Sequence, residues 1–342
     1  MKILYGIQGT GNGHITRSLA LVPLLRSSGN DVKVIISGRE RSKLFGVEKL
    51  MPYEVYKGLT FKTSNGKINK ISTLFHSKPF HFIADVLKIN LKEIDLVITD
   101  FEPITAWASK LKGIKSLGIG HQYAFLHDIP LAGKNILSEA ILKYFAPADY
   151  NIGLHWHHFN QNIFPPILPS HKYVNSYQNE KKILVYLPFE ELNDIIKILK
   201  PFKNHRFCIY HKVSKKIKDK NMTIKPFSRT GFDKDFFLSE KVFCNAGFEL
   251  PSESLVLGKS LLVKPLIGQI EQESNAAAIN QLGLGVVMES LDRKIIGKWI
   301  DSTNKKPINY PDIAQEIVDL INSMQFDSIE HFSRKIWKKI NI

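Results

Sequence analysis

Cysteine is almost missing from this chain: Cys208 and Cys244 are the only two in 342 residues. Two thiols are too few for a disulfide framework or a thiolate zinc cluster, and each falls in an apolar, strand-like run that reads as a buried thiol. Long apolar runs are missing too, since none approaches the roughly 20 residues that span a bilayer as a helix. The first residues read as a strand and not as a secretory leader. A cytoplasmic location is therefore expected, with peripheral attachment to the inner face of the cell membrane as its variant.

Acidic residues are in deficit, 32 against 47 Lys and Arg, for a net charge of +15. The excess is spread out: residues 1–175 carry 21 bases against 12 acids, and the remainder 26 against 20. Its densest acid-free stretch holds Lys57, Lys62, Lys67, Lys70 and Lys78, and a second cluster holds Arg334, Lys335, Lys338 and Lys339. No nucleic-acid module accompanies either cluster. Nucleic acid is accordingly not expected as a partner, and solvated faces or an anionic membrane surface remain as readings.

Two nucleotide signatures are lacking as well. The turn after the first strand reads Gly9-Thr-Gly-Asn-Gly-His14, without the Gly-Lys-Ser/Thr of a P-loop. Its G-x-G-x-G spacing is not the dinucleotide fingerprint, and the second strand ends in Ser37, Gly38 and Arg39 where an acid would hold a ribose. What the segment does offer is a glycine turn, Gly9, Gly11 and Gly13, opening a helix whose free N–H groups favour an anion, with His14 at its mouth. A tight strand-to-helix turn with a capping histidine is the simpler reading of the same residues.

The 44% hydrophobic content marks a folded protein, and 342 residues suit two domains. In the first half, strand patterns at 3–7, 32–36, 96–99, 116–119 and 150–154 alternate with helical patterns at 15–25, 74–90 and 103–112. Pro165, Pro166, Pro169 and the polar residues 176–182 read as a linker. A second series of strands follows at 183–187, 207–210, 241–244, 260–264 and 285–288. The fold class is thus α/β, with two Rossmann-like domains facing a cleft, over residues 1–168 and 182–325 with a 169–181 linker. Ile329, Phe332, Ile336 and Ile340 add a helical apolar stripe within 326–342.

The second half holds two more polar constellations. After the strand at 241–244, Asn245-Ala-Gly247 opens a helix on which Glu249 and Glu253 share a face. For Glu249 an ordinary solvated face is expected. Glu271, Gln272 and Asn275 stand in the first turns of another helix, spaced either as a hydrogen-bonding comb for sugar hydroxyls or as charge complementing a helix dipole.

Together, Gly-Thr-Gly-Asn-Gly-His, Asn-Ala-Gly-Phe-x-x-x-x-Glu and Pro-x-x-x-x-x-Glu-Gln-x-x-Asn-Ala resemble the GT-B glycosyltransferases, over the whole chain. The likeness is to the group containing the N-acetylglucosaminyltransferase of the lipid-linked peptidoglycan precursor. The resemblance implies that Glu253 holds the nucleotide ribose, that Gly247 and Phe248 meet the diphosphate, and that Glu271 and Gln272, with Asn275, read the donor sugar. It makes His14 the general base and Asp100 its orienting carboxylate; capping of the helix at Pro103 is the other reading of Asp100. Gly11, Asn12, Gly13 and Arg17 would form a phosphate and acceptor loop, with Arg17 adding to the charge that meets the leaving group. His121 and Gln122, with His155, His157 and His158, would line the acceptor side, and a structural metal is not expected there. In this family the last helix crosses back to the N-terminal domain.

The implied activity is inverting, metal-independent transfer from a nucleotide-sugar, expected to be a UDP-sugar, to a lipid-linked or glycan acceptor. No cofactor beyond the donor is expected. Glu271-Gln272 stands where that group has two glutamines, so the donor sugar is not carried over. Two alternatives are a UDP-sugar hydrolase of the nonulosonic acid type, whose G-x-G-H-x-x-R turn is similar, and a non-enzymatic nucleic-acid binder. The segment 120–169 reads as an acceptor-side insert and favours a transferase.

Overall fold

The computed structural model describes residues 1–59, 63–64, 67–68, 79–132, 136–168, 179–303 and 306–340. Its first sheet is built from β1 (Lys2–Gln8), β2 (Asp31–Ser37), β3 (Tyr53–Tyr56), β6 (Leu96–Asp100), β7 (Ser116–Gly120), β8 (Tyr150–Leu154) and β9 (Ile163–Phe164), in the order β3-β2-β1-β6-β7-β8-β9. All neighbours are parallel. A two-residue pair, β4 (Thr63–Ser64) with β5 (Lys67–Ile68), stands apart from it. The connecting helices are α1 (Asn12–Ser27), α2 (Pro79–Lys88), α3 (Pro103–Lys112), α4 (His121–Ala124) and α5 (Ile136–Tyr144). The near-continuous apolar strands follow from this layout, because a parallel sheet covered on both faces must bury both sides of each strand.

The second sheet contains β10 (Asn179–Tyr186), β11 (Arg206–Tyr210), β12 (Ile217–Asp219), β13 (Met222–Lys225), β14 (Ser239–Asn245), β15 (Ser260–Lys264) and β16 (Val286–Val287). Its order is β12-β13-β11-β10-β14-β15-β16, with β12 alone antiparallel. Its helices are α6 (Leu192–Leu199), α7 (Arg229–Phe237), α8 (Glu249–Val256), α9 (Ile270–Gln281), α10 (Arg293–Ile300), α11 (Ile313–Ser323) and α12 (Ile329–Trp337). Strand β10 starts at Asn179, so the polar stretch read as linker is already strand from that residue. The earlier part of that stretch, the start of the 74–90 helix, and Lys62, Lys70 and Lys78 lie outside the described residues.

In each sheet one strand is flanked on its two sides by neighbours whose connections run in opposite directions: β1 lies between β2 and β6, and β10 between β11 and β14. Ligands in such sheets bind beyond the carboxyl ends at these switch points. The last helices return to the first sheet. Asn30 Nδ2 donates to Asn322 Oδ1 on α11 at 2.9 Å, and Ser333 Oγ and Trp337 Nε1 of α12 both donate to the Ile163 carbonyl, at 2.8 and 2.5 Å. Ile336 is fully buried there, a burial worth about 1.5–3 kcal/mol. Among the described residues no helix is long and apolar enough to cross a membrane.

Candidate active site

Strand β1 delivers the glycine turn to the switch point of the first sheet. Gly9 N–H donates to Ser37 O at 2.7 Å, and a Cβ at Gly9 would stand 2.8 Å from that carbonyl, so only glycine closes this turn. Gly11 is the N-cap of α1 and supplies no side-chain cap, which leaves the first helical N–H groups open. Arg39, two residues beyond β2, fastens the turn by donating to Asn12 Oδ1 (2.8 Å) and Thr10 O (3.1 Å). Burial lowers the pKa of Arg39, with Tyr186 of the second domain opposing.

His14 lies in the first turn of α1, and Asp100 is the last residue of β6, paired with Ile7 in register. His14 Nδ1 is 2.7 Å from Asp100 Oδ1, with the imidazole 12% exposed and the carboxylate fully buried. A carboxylate accepts, so Nδ1 carries the proton that faces it, and in the neutral ring the lone pair is on Nε2. The helix at Pro103 is capped by Glu102 and not by Asp100: Glu102 accepts from the N–H groups of Ile104 (2.9 Å) and Thr105 (2.7 Å). Between the two carboxylates Phe101 takes φ 51°, an uncommon value for a bulky residue that turns Asp100 and Glu102 to different tasks.

Arg17 does not reach the cleft as the sequence reading expected. It is 2% exposed; Nε and Nη2 donate to Asp100 Oδ2 (3.0 Å) and Oδ1 (2.6 Å), and Nη1 donates to Glu249. Held by Asp100 and Glu249, its guanidinium has no fork left for a phosphate, and the assignment of Arg17 to the leaving group is corrected. Burial works against the charge of Asp100, but the Arg17 guanidinium and the His14 ring outweigh it and hold the carboxyl below its usual range.

Glu249 is the second correction. The expected solvated face of α8 is turned onto the first domain: a Cβ at Gly13 would lie 2.8 Å from Glu249 Cγ, and Glu249 Oε2 is buried without a partner. Burial pushes the Glu249 carboxyl up to about 8, with Arg17 opposing. The sequence offers for it only its place, two residues beyond Gly247 in the turn that follows β14.

Around Gly247, a Cβ would meet nothing within 4 Å, so the backbone there is open to a ligand. Phe248 is buried and stacks face to face on His121, centroids 3.9 Å apart, with Trp156 at 5.1 Å on the stack. Glu253, one turn along α8, is half-buried. On α9, Glu271 accepts from Gln122 Nε2 at 2.9 Å and Gln272 Oε1 accepts from Leu266 N–H at 2.9 Å. Asn275 is turned inward: its Nδ2 donates to Ala246 O (3.0 Å) and its Oδ1 faces His121 Nε2 at 2.5 Å. It is fully buried and cannot serve in a comb for sugar hydroxyls.

His121 and Gln122 consequently face the helices of the second domain, through Asn275 and Glu271, and do not stand on an open acceptor surface. His155, His157 and His158 lie beyond the end of β8, so they have no common strand face. Each accepts a backbone N–H at Nδ1, from Trp156, Phe159 and Asn160, all at 2.9 Å. Segment 120–169 is no insert either, since it contributes β8 and β9 to the sheet. Among the described residues no group of three or more His, Cys, Asp and Glu is placed to hold a metal ion.

No curated protein matches the chain. Among solved structures, the glycosyltransferase of kitacinnamycin is similar with a TM-score of 0.60 at 13% identity, covering 99% of both chains. UGT89C1 of Arabidopsis thaliana, solved with UDP-L-rhamnose, gives 0.60 at 12% identity over 97% of this chain and 99% of that one. MurG of Acinetobacter baumannii gives 0.52 at 16% identity over 94% and 99%. These likenesses establish the GT-B fold. The profile described as glycosyl transferase family 1 matches residues 1–303, and the chain belongs to that family of glycosyltransferases.

Proposed function

We propose that the protein transfers a sugar from a UDP-sugar to an acceptor hydroxyl, with inversion at the anomeric carbon and without a metal. The observation that carries this reading is the 2.7 Å pairing of His14 Nδ1 with Asp100 Oδ1 at the domain boundary. It leaves Nε2 as the proton acceptor of a general base. The acceptor oxygen attacks the anomeric carbon as its proton passes to Nε2, and the electron pair of the breaking C–O bond leaves with the diphosphate on the opposite face. The leaving charge is met by N–H groups at the start of α8 around Gly247 and in the Gly11–Gly13 turn, with Arg39 fastened to that turn. Glu253 takes the ribose hydroxyls, and Glu271 with Gln272 the donor sugar. The complex of UGT89C1 with UDP-L-rhamnose supports a UDP-sugar as donor.

The acceptor in this reading is a lipid-linked or glycan substrate of the cell envelope, met at the inner membrane surface. Phe80, Ile83 and Leu87 form one stripe of α2 and are 84%, 52% and 60% exposed. Lys112 Nζ donates to the Leu87 carbonyl at 3.1 Å, which places one ammonium group at the carboxyl end of that helix. An exposed apolar stripe with a lysine at its end suits an anionic bilayer, at about 1 kcal/mol per basic residue near its surface. The C-terminal cluster contributes less than its sequence promised, because Arg334 pairs with Glu330 and Lys339 with Glu316.

A panel of UDP-, GDP- and TDP-sugars, with and without lipid-linked and glycan acceptors and with EDTA throughout, tests the reaction. Acceptor-dependent transfer of inverted configuration is expected. Free sugar released regardless of acceptor would favour a hydrolase, and loss of activity in EDTA would remove metal independence. Calorimetry on Glu253→Ala should show nucleotide affinity weakened by about 1.5–3 kcal/mol, the range for hydrogen bonds to a charged group. Equal sedimentation with neutral and anionic vesicles would remove the membrane.

A further inference from the structure

We infer that Glu249 is a positioning residue that signals domain closure to the catalytic pair, holding through Arg17 the geometry of Asp100 and His14; this rests on the transferase reading above. Four ionisable groups stand in one line across the boundary. His14 Nδ1 meets Asp100 Oδ1, Asp100 takes Nε and Nη2 of Arg17, and Nη1 of the same guanidinium reaches Glu249 in the other domain. Arg17 Nη2 is also 3.1 Å from His14 Nδ1, so a small rotation of the guanidinium would change what Asp100 offers the imidazole. A guanidinium anchored at one end only can make that rotation. Glu249 supplies the anchor at the other end.

Three features make the anchor conditional on closure. Arg17 and Asp100 belong to the first domain, on α1 and β6, whereas Glu249 opens α8 of the second. Gly13 leaves the room for its entry: with any side chain there, Cγ of Glu249 would be met at 2.8 Å by the new Cβ. The second carboxyl oxygen, Oε2, is buried without a partner, so what holds Glu249 in this buried place is Arg17. The charged groups facing it are Arg17 and Asp100 across the boundary and Glu253 and Glu271 from its own domain. Burial, with the three acids, keeps the carboxyl protonated up to about pH 8, and below that its carbonyl oxygen is the acceptor that Arg17 uses.

The experiment uses two variants of the full chain. Glu249→Leu removes the acceptor at similar volume and should lower kcat at least tenfold, with donor KM within about threefold. Glu249→Gln keeps the carbonyl oxygen and should restore most of kcat below pH 8, then part from the wild type above it, where only the wild type gains charge. An unchanged kcat in Glu249→Leu would overturn the inference, as would a Gln variant as poor as the Leu variant. A second readout needs no turnover: NMR titration of the His14 ring should give a shifted midpoint in Glu249→Leu and a wild-type midpoint in Glu249→Gln. Superposing titrations in all three would overturn it even if no donor sugar had been found. If every sugar failed and the midpoint still moved, the transferase reading would fall and the coupling would stand.

Discussion

Asp100 and Asp235 are both buried carboxylates ringed by donors, but they join different things. Asp235, on α7, accepts from Lys182 Nζ (2.8 Å), Lys225 Nζ (2.5 Å), Tyr210 OH (2.6 Å) and Cys208 Sγ (3.2 Å), all on strands of the same sheet. It ties one helix to its own domain. Asp100 accepts from His14 and Arg17 on the helix beside it, and Arg17 carries the connection into the other domain through Glu249. A network closed within one domain can only stabilise that domain, whereas one that crosses a boundary changes when the boundary opens. The four donors on Asp235 leave it nothing further to do, whereas in the proposed reaction His14 keeps Nε2 for the acceptor's proton.

Cutting the Asp100 network at its reactive end is the largest expected effect. His14→Ala should lower turnover by about 10²–10⁴, the worth of a general base, with little change in melting temperature or nucleotide affinity. Turnover like that of the wild type would remove His14 as the base. The matching cut in the other network is Asp235→Ala, which strands two ammonium groups. Fully buried pairs broken in this way cost about 3–5 kcal/mol; with Lys225 a quarter exposed and Lys182 16%, roughly 2–4 kcal/mol is the expectation, read by denaturant unfolding. Residual turnover per folded molecule should remain intact. A large loss of kcat in the folded variant would mean that this network too reports to the site.

How much of this was legible in the sequence also divides along these lines. The central strands could be read because a sheet covered on both faces demands apolar runs, and Tyr150–Leu154 and Ser260–Lys264 appear with the bounds expected of them. Strands β3, β9, β12 and β13, at or next to a sheet edge, were not read; at two to four residues each they are too short for a period to show. His14 was legible from its place after the β1 turn, at the start of a helix, whereas Asp100 was picked out only by the family resemblance; their 2.7 Å contact appears in the fold. Glu249 was not legible, since an i, i+4 pair of acids looks the same whether its face meets water or a second domain. Arg17 finds its carboxylates 83 and 232 residues away, and Asn275 is used up by a histidine 154 residues off. Such saturation is a property of the assembled interface.

The two networks should also answer pH in opposite directions. Asp235 is held well below its ordinary value: burial opposes its charge, but Lys182, Lys225, Tyr210 and Cys208 outweigh it. Its stabilisation is therefore complete above the unfolded value near 3.8 and is lost as pH falls below it. Glu249 is raised from 4.5 to about 8, so between these values the folded state binds a proton that the unfolded state has released. Its contribution declines as pH rises across that window and levels off above it. Thermal unfolding of wild type and Glu249→Gln from pH 5 to 9 should show the wild type losing stability relative to the variant as pH rises. Parallel curves would place the Glu249 carboxyl near its ordinary value.

The smallest effect belongs to the weakest donor on Asp235. Burial, with the hydrogen bond to that carboxylate, pushes the Cys208 thiol up to about 12, so almost no thiolate exists near neutrality, and the thiolate is the reactive form. Alkylation of the native protein at pH 8 should leave Cys208 unmodified, and Cys244, raised further by burial alone, should behave alike. Both should label at once in denaturant. Cys208→Ser replaces a weak S–H donor by a stronger O–H of smaller volume in a position that is 4% exposed. The better hydrogen bond, worth about 0.5–1.5 kcal/mol, opposes the packing lost around a smaller atom, and the net change should stay within about 1 kcal/mol. Cys208→Ala removes the donor as well and should be the worse of the two. Native-state labelling of Cys208 at a rate like that of a free thiol would show that Asp235 is open to solvent, and the contrast between a closed network and a conditional one would then fail on the Asp235 side.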